Sequence, residues 1–362
     1  MGSRSTRSKV SKPGIHEGDN EFLRAAGHLI DYASSKFKKF SKSTPPPPPP
    51  PMSASGGTTY TPGNGYKYHK FSEPNSDNFV ISSLSPDANK NKIDILIVAG
   101  GGGNRTPSPY TGGAGAGGVV HATNVTIPAT GTYPVGVGAG GPSPSGAGTN
   151  EPTTGSDSTF GGHPIGTITA KGGGGGGFYP ANDAKPGGSG GGRQDSTDTT
   201  GTGIQPAQNS PWTPQPGFNQ YGNPGGVGGR TGAYQAPGGG GAGEQGGAAS
   251  ANPNPEPGGY GGRGQPIPGF EYPLIGLGPI DVATQANSPT SNHYGGGGMG
   301  WGYEAHPDPA RMRSYGGGGT NDYGAAPVSG PQSGTDGLGG GAGATSGGTG
   351  GDGIVVIRYP AA

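Results

Sequence analysis

The side chains that most often perform acid–base or metal chemistry are scattered along this chain. Its seven histidines show neither an HExxH motif nor a similar pair that would bring two imidazoles to one metal ion. They are His16, His28, His69, His121, His163, His293 and His306. Cysteine is absent, which excludes thiolate metal sites and disulfides. With so many serines, a Ser/His/Asp set arises by chance, so the residues predict a non-enzyme without metal or cofactor.

The glycine runs are the next candidate for chemistry, because a glycine-rich loop can hold a phosphate. The stretch IDILIVAGGGGNRT at 93–106 reads as a strand that leads into such a loop. The dinucleotide motif GxGxxG fails here, since its third glycine falls on Arg105 or Thr106 and no helix-forming stretch follows. A Walker loop needs a Gly-Lys pair, and the sequence has none. Nucleotide binding is therefore not predicted.

The glycine runs are better explained as building material. The 362 residues include 86 glycines and 40 prolines, and only 27% are hydrophobic, too few for an ordinary core. Collagen is excluded because glycine does not recur strictly at every third position. Disorder is the main alternative, but strand patterns flank the region and aromatic segments separate the runs. The runs lie at 172–177, 187–192, 225–229, 238–243, 258–264, 295–300, 316–319 and 337–353.

Glycine can pack through its backbone when the chain adopts the polyglycine II conformation, with three residues per turn. Such a helix has no internal hydrogen bonds, so its amide and carbonyl groups bond to neighbouring helices. A run of six spans about 19 Å. The sequence thus predicts a bundle of polyglycine II helices in which Gly174→Val or Gly175→Val impairs folding.

Alternating apolar residues predict a mainly β fold. Ile93, Ile95 and Ile97 alternate with Asp94, Leu96 and Val98 in the strongest strand of the sequence. Further strands are predicted within 66–74 and 78–86 (a hairpin or two short strands), 118–141, 163–172 and 353–360. Tyr133, Val135 and Val137 share one face of the third of these stretches. A lone strand at 353–360 would have no partner, so we expect it to return and close a small β-sandwich. The glycine-rich bundle is then an insertion into this sandwich.

The N-terminal part differs from the rest. Residues 1–44 carry nine Lys/Arg and four Asp/Glu, and the remaining chain carries 13 and 18. Residues 16–42 predict a short amphipathic α-helix, which needs a partner because it cannot bury its own apolar face. Docking on a protein is favoured over lying on a membrane. The candidate docking residues are Phe22, Leu29, Ala33, Phe37 and Phe40, with Ala26 on the same face, and Lys38 and Lys39 beside them.

Five domains or segments are predicted. Prolines 45–51 form a polyproline rod, followed by a linker, Met52 to Tyr60. The predicted divisions are 1–44 (basic arm and helix), 45–63 (rod and linker), 64–170 (strands), 171–352 (glycine bundle with loops) and 353–362 (closing strand). No apolar run is long enough for a membrane span or of signal-peptide type, so membrane insertion is not expected. Nucleic-acid binding is not expected either.

The order of the blocks is specific. KIDILIVAGGGG, GGAGAGGVVHATNVTI, GTYPVGVGAGG, ITAKGGGGGG and GGDGIVVIRYP follow one another along the chain. In this order they resemble the glycine-rich domain common in bacteriophage virion proteins, over about 64–362. The resemblance implies packed polyglycine II bundles whose connecting loops can contact the host surface. It does not extend to residues 1–63.

The resemblance implies a phage virion structural protein, assembled in the host cytoplasm. One hypothesis is a tail fibre or adhesin that residues 1–44 anchor to capsid or tail proteins, with a host surface glycan or outer-membrane protein as its receptor. The alternative is a capsid or tail decoration protein without a receptor role. A glycine-rich cell-wall protein is disfavoured by the missing signal peptide. A fibre can be a homotrimer, but no heptad pattern indicates an oligomer here.

Loop geometry gives a candidate receptor site. If successive runs alternate in direction, the loops 193–224, 244–257 and 301–315 share one end of the bundle. Flat aromatic rings with polar neighbours suit a sugar or a protein surface. The alternative is that these rings only cover the glycine bundle. The residues are Trp212, Phe218, Tyr221, Trp301, Tyr303 and Tyr315.

Overall fold

The fold is mainly β. A computed structural model of the chain describes residues 47–104, 111–144, 151–162, 166–178, 183–193, 201–205, 218–228, 235–249, 258–277, 292–302, 314–320, 332–344 and 347–361. The strands are β1 (Ser53–Ser55), β2 (Thr58–Tyr60), β3 (Tyr66–Phe71), β4 (Ser76–Ser83), β5 (Lys92–Val98), β6 (Val119–Thr126), β7 (Gly131–Gly136), β8 (Ser158–Gly162), β9 (Gly166–Ala170), β10 (Phe218–Tyr221), β11 (Gln265–Pro266), β12 (His293–Tyr294) and β13 (Ile354–Pro360). Two 3-10 helices, Ala88–Lys90 and Tyr272–Ile275, complete the regular elements of this part of the chain.

Two antiparallel sheets face each other. The first sheet has the order β1-β4-β7-β8-β9, and the second has the order β10-β6-β5-β13-β3-β2. Within the described ranges neither sheet closes into a barrel, and β11 and β12 form a separate pair. Residues Pro50–Ala362 form one compact unit. How this unit divides into smaller domains stays a prediction.

The main core lies between the two sheets. Ile93, Ile95 and Ile97 point into it from β5, because alternate residues of a strand face opposite sides. Phe79 from β4 and Phe160 from β8 meet them from the first sheet. The predicted shared face is confirmed, since Tyr133 and Val135 of β7 and Val137 directly after it are also buried in this core. Apolar burial on both inner faces therefore holds the sandwich together.

The C-terminal strand lies in the middle of the second sheet. In β13, Val355 pairs with Ile97 of β5 on one side and with Phe71 of β3 on the other. Both of these neighbours are antiparallel to it. The prediction that the chain returns at 353–360 to complete the sandwich is confirmed.

Of the two alternatives predicted within 66–86, two separate strands are confirmed and a hairpin is excluded, because β3 belongs to the second sheet and β4 to the first. The predicted linker Met52–Tyr60 contains β1 and β2, which pair with β4 and β3, respectively. Between them Gly56 and Gly57 have φ values of 110° and 58°, which favour glycine and turn the chain from one sheet to the other. β1 and β2 are short and rich in Ser and Thr, so the sequence there shows no apolar alternation that would predict a strand.

The prediction of an inserted helix bundle in the glycine-rich region is not supported. Among the described residues the glycine segments belong to no α-helix, and most of them belong to no strand. Most of their glycines are nevertheless buried, including all six of 172–177. Their backbone groups bond to one another over long sequence distances. These segments are called the glycine body below.

Hydrogen bonds in the glycine body recur at every third residue. In the segment 111–118, the amides of Gly112, Gly115 and Gly118 donate to the segment 171–177 at 2.9, 2.7 and 2.8 Å. The amides between them donate to two other segments in turn. Backbone bonding thus satisfies polar groups that burial would otherwise leave unpaired.

The segment 111–118 is surrounded on all sides. Its amides donate to three segments, and its carbonyls accept amides from three others. The six neighbours are 171–177, 237–240, 339–342, 298–301, 189–192 and 99–102. Backbone atoms rather than side chains therefore fill the interior of the glycine body.

Amide side chains connect these segments. The Asn104 amide nitrogen donates to the carbonyls of Gly112 and Gly343 at 3.0 and 2.9 Å, and its oxygen accepts the Gly176 amide at 3.0 Å. Asn223 donates to two consecutive carbonyls, those of Gly241 and Ala242. The side-chain amides of Asn104 and Asn223 therefore bond to backbone carbonyls of neighbouring glycine segments.

A second apolar cluster covers the outer face of the second sheet. Phe270, Tyr272 and Ile275 pack on Leu96 of β5 and Val356 of β13. The cover leaves the start of β5 and the end of β13 open. This uncovered corner is the setting of the polar site described next.

Candidate functional site

A largely buried ion pair marks the uncovered corner of the second sheet. Asp94 of β5 lies opposite Arg358 of β13, and the Arg358 Nε donates to Asp94 Oδ2 at 2.9 Å. Only 13% of each side chain is exposed. The Arg358 Nη1 also donates to the Gly269 carbonyl at 2.6 Å. Its guanidinium lies over the rings of Tyr66 and Phe270, 4.4 and 4.9 Å from their centroids.

This ion pair forms the floor of a polar cleft of 310 Å³. The cleft lies on the outer face of the second sheet, where β3, β5, β6 and β13 meet beside the first 3-10 helix. Its lining residues are Tyr66, Asn89, Lys92, Asp94, Thr123, Asn124, Arg358 and Pro360. We call this set the polar cleft.

A bulge in β6 shapes one wall of the polar cleft. The register between β5 and β6 shifts between Ile93 and Ile95, which leaves an extra residue on β6 opposite Asp94. Asn124 lies in this bulge with a φ of 57°, the one positive φ of a non-glycine residue in the described ranges. Its backbone amide donates to Asp94 Oδ1 at 2.8 Å. Asp94 therefore fixes both Arg358 and the bulge.

The predicted aromatic residues that the structure describes lie at separate places. Phe218 and Tyr221 are half-buried on β10, an edge strand that pairs with β6. Burial raises the pKa of Tyr221. Tyr315 contacts the Arg263 guanidinium, 5.3 Å from its ring centroid. Trp301 is only 2% exposed and packs with small side chains of the glycine body.

The structure does not bring these four residues together. Trp301 packs on Ala236, whereas Tyr221 packs in the cluster that contains Ala242. Ala236 and Ala242 are about 19 Å apart if the segment between them rises 3.1 Å per residue. The loops do not alternate as expected, because the segments 295–302 and 314–320 pair in the same direction through backbone bonds. The four described residues therefore form no shared patch, and a receptor role for any of the six predicted residues stays a prediction.

A family model described as a glycine-rich domain matches residues 76–360. This range contains β4 to β13 and the whole glycine body. The chain belongs to the glycine-rich domain family. No curated protein sequence matches the chain.

The matched range leaves out three strands that the fold needs. In this glycine-rich domain β1 and β2 complete one edge of each sheet, and β3 pairs with the central strand β13. All three precede residue 76. The folded glycine-rich domain therefore extends beyond the part that the family model matches.

The described residues of the glycine-rich domain show no catalytic arrangement at the polar cleft. His121 lies near it, but burial lowers the pKa of its imidazole, which outweighs the opposing effect of Asp94. The described ranges contain no group of His, Cys, Asp and Glu that could hold a metal ion, and no helix in them has the length and apolarity to cross a membrane. That the protein is not an enzyme stays a prediction.

The remaining predicted residues lie outside the described ranges. Trp212 and Tyr303 are among them, and so is the whole predicted docking set of the N-terminal helix. That set is Phe22, Leu29, Ala33, Phe37, Phe40, Lys38 and Lys39. Docking on a virion through residues 1–44 stays a prediction.

Sequence reasoning missed the polar cleft, although a signal was present. Asp94 and Arg358 are charged residues inside the two most apolar strands, KIDILIV and IVVIRYP. Charged side chains are almost never buried without a partner. Opposite charges in strands that must share a sheet could therefore have predicted the ion pair.

Proposed function

We propose that the chain is a non-enzymatic structural protein of a bacteriophage virion, a tail fibre or adhesin that presents its glycine body to the host surface. Residues 1–44 anchor it to capsid or tail proteins. The glycine body carries this proposal, since an interior made of backbone gives a stiff support and offers few side chains for catalysis. The block order shared with glycine-rich domains of phage virion proteins adds further support.

The glycine body is a polyglycine II lattice in this proposal. Hydrogen bonds that return to the same neighbour at every third residue match a helix of three residues per turn. None of the six glycines at 172–177 has a φ between +20° and +160°, which fits the left-handed polyproline-type helix. Six neighbours around one segment fit close packing of such helices. The lattice would hold the connecting loops at fixed positions.

A decoration protein without receptor role is the second candidate. It is favoured by the packing of the aromatic residues that were expected to bind a receptor. Trp301 is buried, and Phe218, Tyr221 and Tyr315 each pack against the domain itself. Rings used in this way stabilise the body and leave less surface for a host molecule.

Purified virions test the proposal. We expect the full chain to co-purify with particles and a chain lacking residues 1–44 to be absent from them. Quantitative mass spectrometry then gives the copy number, which is low for fibres and high for decoration. Co-purification of the truncated chain would contradict the anchor, and absence of the full chain from particles would contradict a virion role.

Host adsorption separates the two candidates. Purified full-length chain added to host cells should reduce virion adsorption if it is an adhesin, because it occupies the receptor. A decoration protein leaves adsorption unchanged under the same conditions. Bovine serum albumin at equal concentration controls for non-specific blocking.

A further inference from the structure

We propose that the polar cleft binds a monosaccharide-sized carboxylate, of which a uronic acid is the simplest example. The inference goes beyond the virion role, because a fibre and a decoration protein could carry such a site equally well. It depends on the charge, the free polar groups, the shape and the size of the polar cleft.

The polar cleft carries one uncompensated positive charge. Among its lining residues Lys92 and Arg358 are cationic and Asp94 is anionic. Asp94 pairs with Arg358, whereas Lys92 forms no ion pair with any residue that the structure describes. A free ammonium group at a concave site attracts a carboxylate, and hydrogen bonds between charged groups are stronger than those between neutral groups. The ligand is therefore expected to be an anion.

The neutral lining groups match sugar hydroxyls. The side-chain amides of Asn89 and Asn124 and the hydroxyl of Thr123 make no hydrogen bond within the described part of the protein. Each amide offers donors and an acceptor side by side, and the hydroxyl offers both. Vicinal hydroxyls of a sugar ring donate and accept in the same way. A bare inorganic anion would leave most of these groups unused.

Regular elements and hydrogen bonds fix the shape of the polar cleft. Its walls are strands of one sheet, and the Asp94 carboxylate holds both Arg358 and the Asn124 amide by hydrogen bonds of 2.9 and 2.8 Å. Preformed sites lose little conformational entropy on binding. The volume of 310 Å³ lies at the lower end for small-molecule sites, about 300–1,000 Å³. This size suits one sugar ring rather than an oligosaccharide.

Calorimetry and ligand-observed NMR on the full chain test the proposal, with glucuronate, glucose and inorganic phosphate as probes. We expect glucuronate to bind at least about tenfold more tightly than glucose, which corresponds to the ion pair with Lys92. Lys92→Gln should remove this preference, so that glucuronate and glucose bind with similar affinity. Asn124→Gly should weaken both sugars without lowering the melting temperature, because glycine adopts a φ of 57° readily.

Lys185→Gln is the matched control, since Lys185 pairs with Glu151 on the surface and does not line the polar cleft. It should bind glucuronate like the wild type. Absence of glucuronate binding overturns the proposal, as does equal binding by wild type and Lys92→Gln. Phosphate that binds as tightly as glucuronate and is lost in Lys92→Gln shows a general anion site, which overturns the assignment to a sugar.

Discussion

Gly115 offers a direct test of packing through the backbone. It lies between Ala114 and Ala116, which are both fully buried, so the segment accommodates a methyl group on either side of it. A Cβ at residue 115 would overlap the Ser189 carbonyl oxygen and lie 2.7 Å from the carbonyl carbon of Gly190. Because carbon atoms pack at about 3.5–4.0 Å, the neighbouring segment must move by about 1 Å.

The cost follows from the hydrogen bonds that this movement lengthens. The Ser189 amide donates to the Ala116 carbonyl at 3.0 Å. The Gly192 amide donates to the Gly113 carbonyl at 2.9 Å. Beyond about 3.5 Å such bonds are lost, and each buried bond broken costs about 1–3 kcal/mol. We therefore expect Gly115→Ala to lower the free energy of unfolding by about 2–6 kcal/mol, a large part of the total of a typical domain.

Urea unfolding of Gly115→Ala and Gly136→Ala measures this effect. Gly136 lies in β7, where a Cβ would meet only Thr159, whose rotatable hydroxyl oxygen is 2.7 Å away. The control should therefore unfold close to the wild-type midpoint. Equal midpoints for the two variants would refute backbone packing at Gly115.

Three further predictions concern the ion pair, acid stability and the longest glycine run. Asp94→Ala leaves the Arg358 charge unpaired, so we expect it to lower the free energy of unfolding, measured in urea, by about 3 kcal/mol. Replacing both partners by apolar residues should restore most of this loss. Equal losses in the single and double variants would contradict this reasoning. Burial lowers the pKa of His69 below its ordinary value of 6.5, so the unfolded chain binds a proton first and stability falls as pH drops below about 6.5. Calorimetry between pH 7 and 5 should show a smaller fall in stability for His69→Gln than for the wild type. An equal fall in stability excludes His69 as a cause. Gly174→Val should prevent folding, since its Cβ would overlap the Lys185 carbonyl, and wild-type thermal melting of this variant contradicts the overlap.

The strands with regular apolar alternation could be predicted from the sequence. Ile93, Ile95 and Ile97 identified β5, and a continuous apolar run identified β13, so the sandwich and its returning strand were foreseeable. β1 and β2 were not, because three-residue polar strands carry no periodic signal. They form because β4 and β3 offer edges with unpaired backbone groups.

The direction of the glycine segments could not be predicted. Identical glycines give no register and no difference between parallel and antiparallel neighbours, so the sequence did not show that 295–302 and 314–320 run the same way. Trp301 and Tyr315 were therefore wrongly placed together. The polar cleft was missed for a related reason, since its walls come from strands whose neighbours only the complete sheet order reveals.

The central place of β13 has a consequence for folding during synthesis. The ribosome makes β3 and β5 early, but the strand that joins them in the sheet follows more than 250 residues after β5. His69 and Tyr359, which stack with ring centroids 5.6 Å apart, are separated by 290 residues. Until β13 arrives, both strands expose apolar edges, and contacts of such high sequence separation form slowly. The nascent chain is therefore most prone to aggregate while its glycine segments are being made, which is when a chaperone would protect it most.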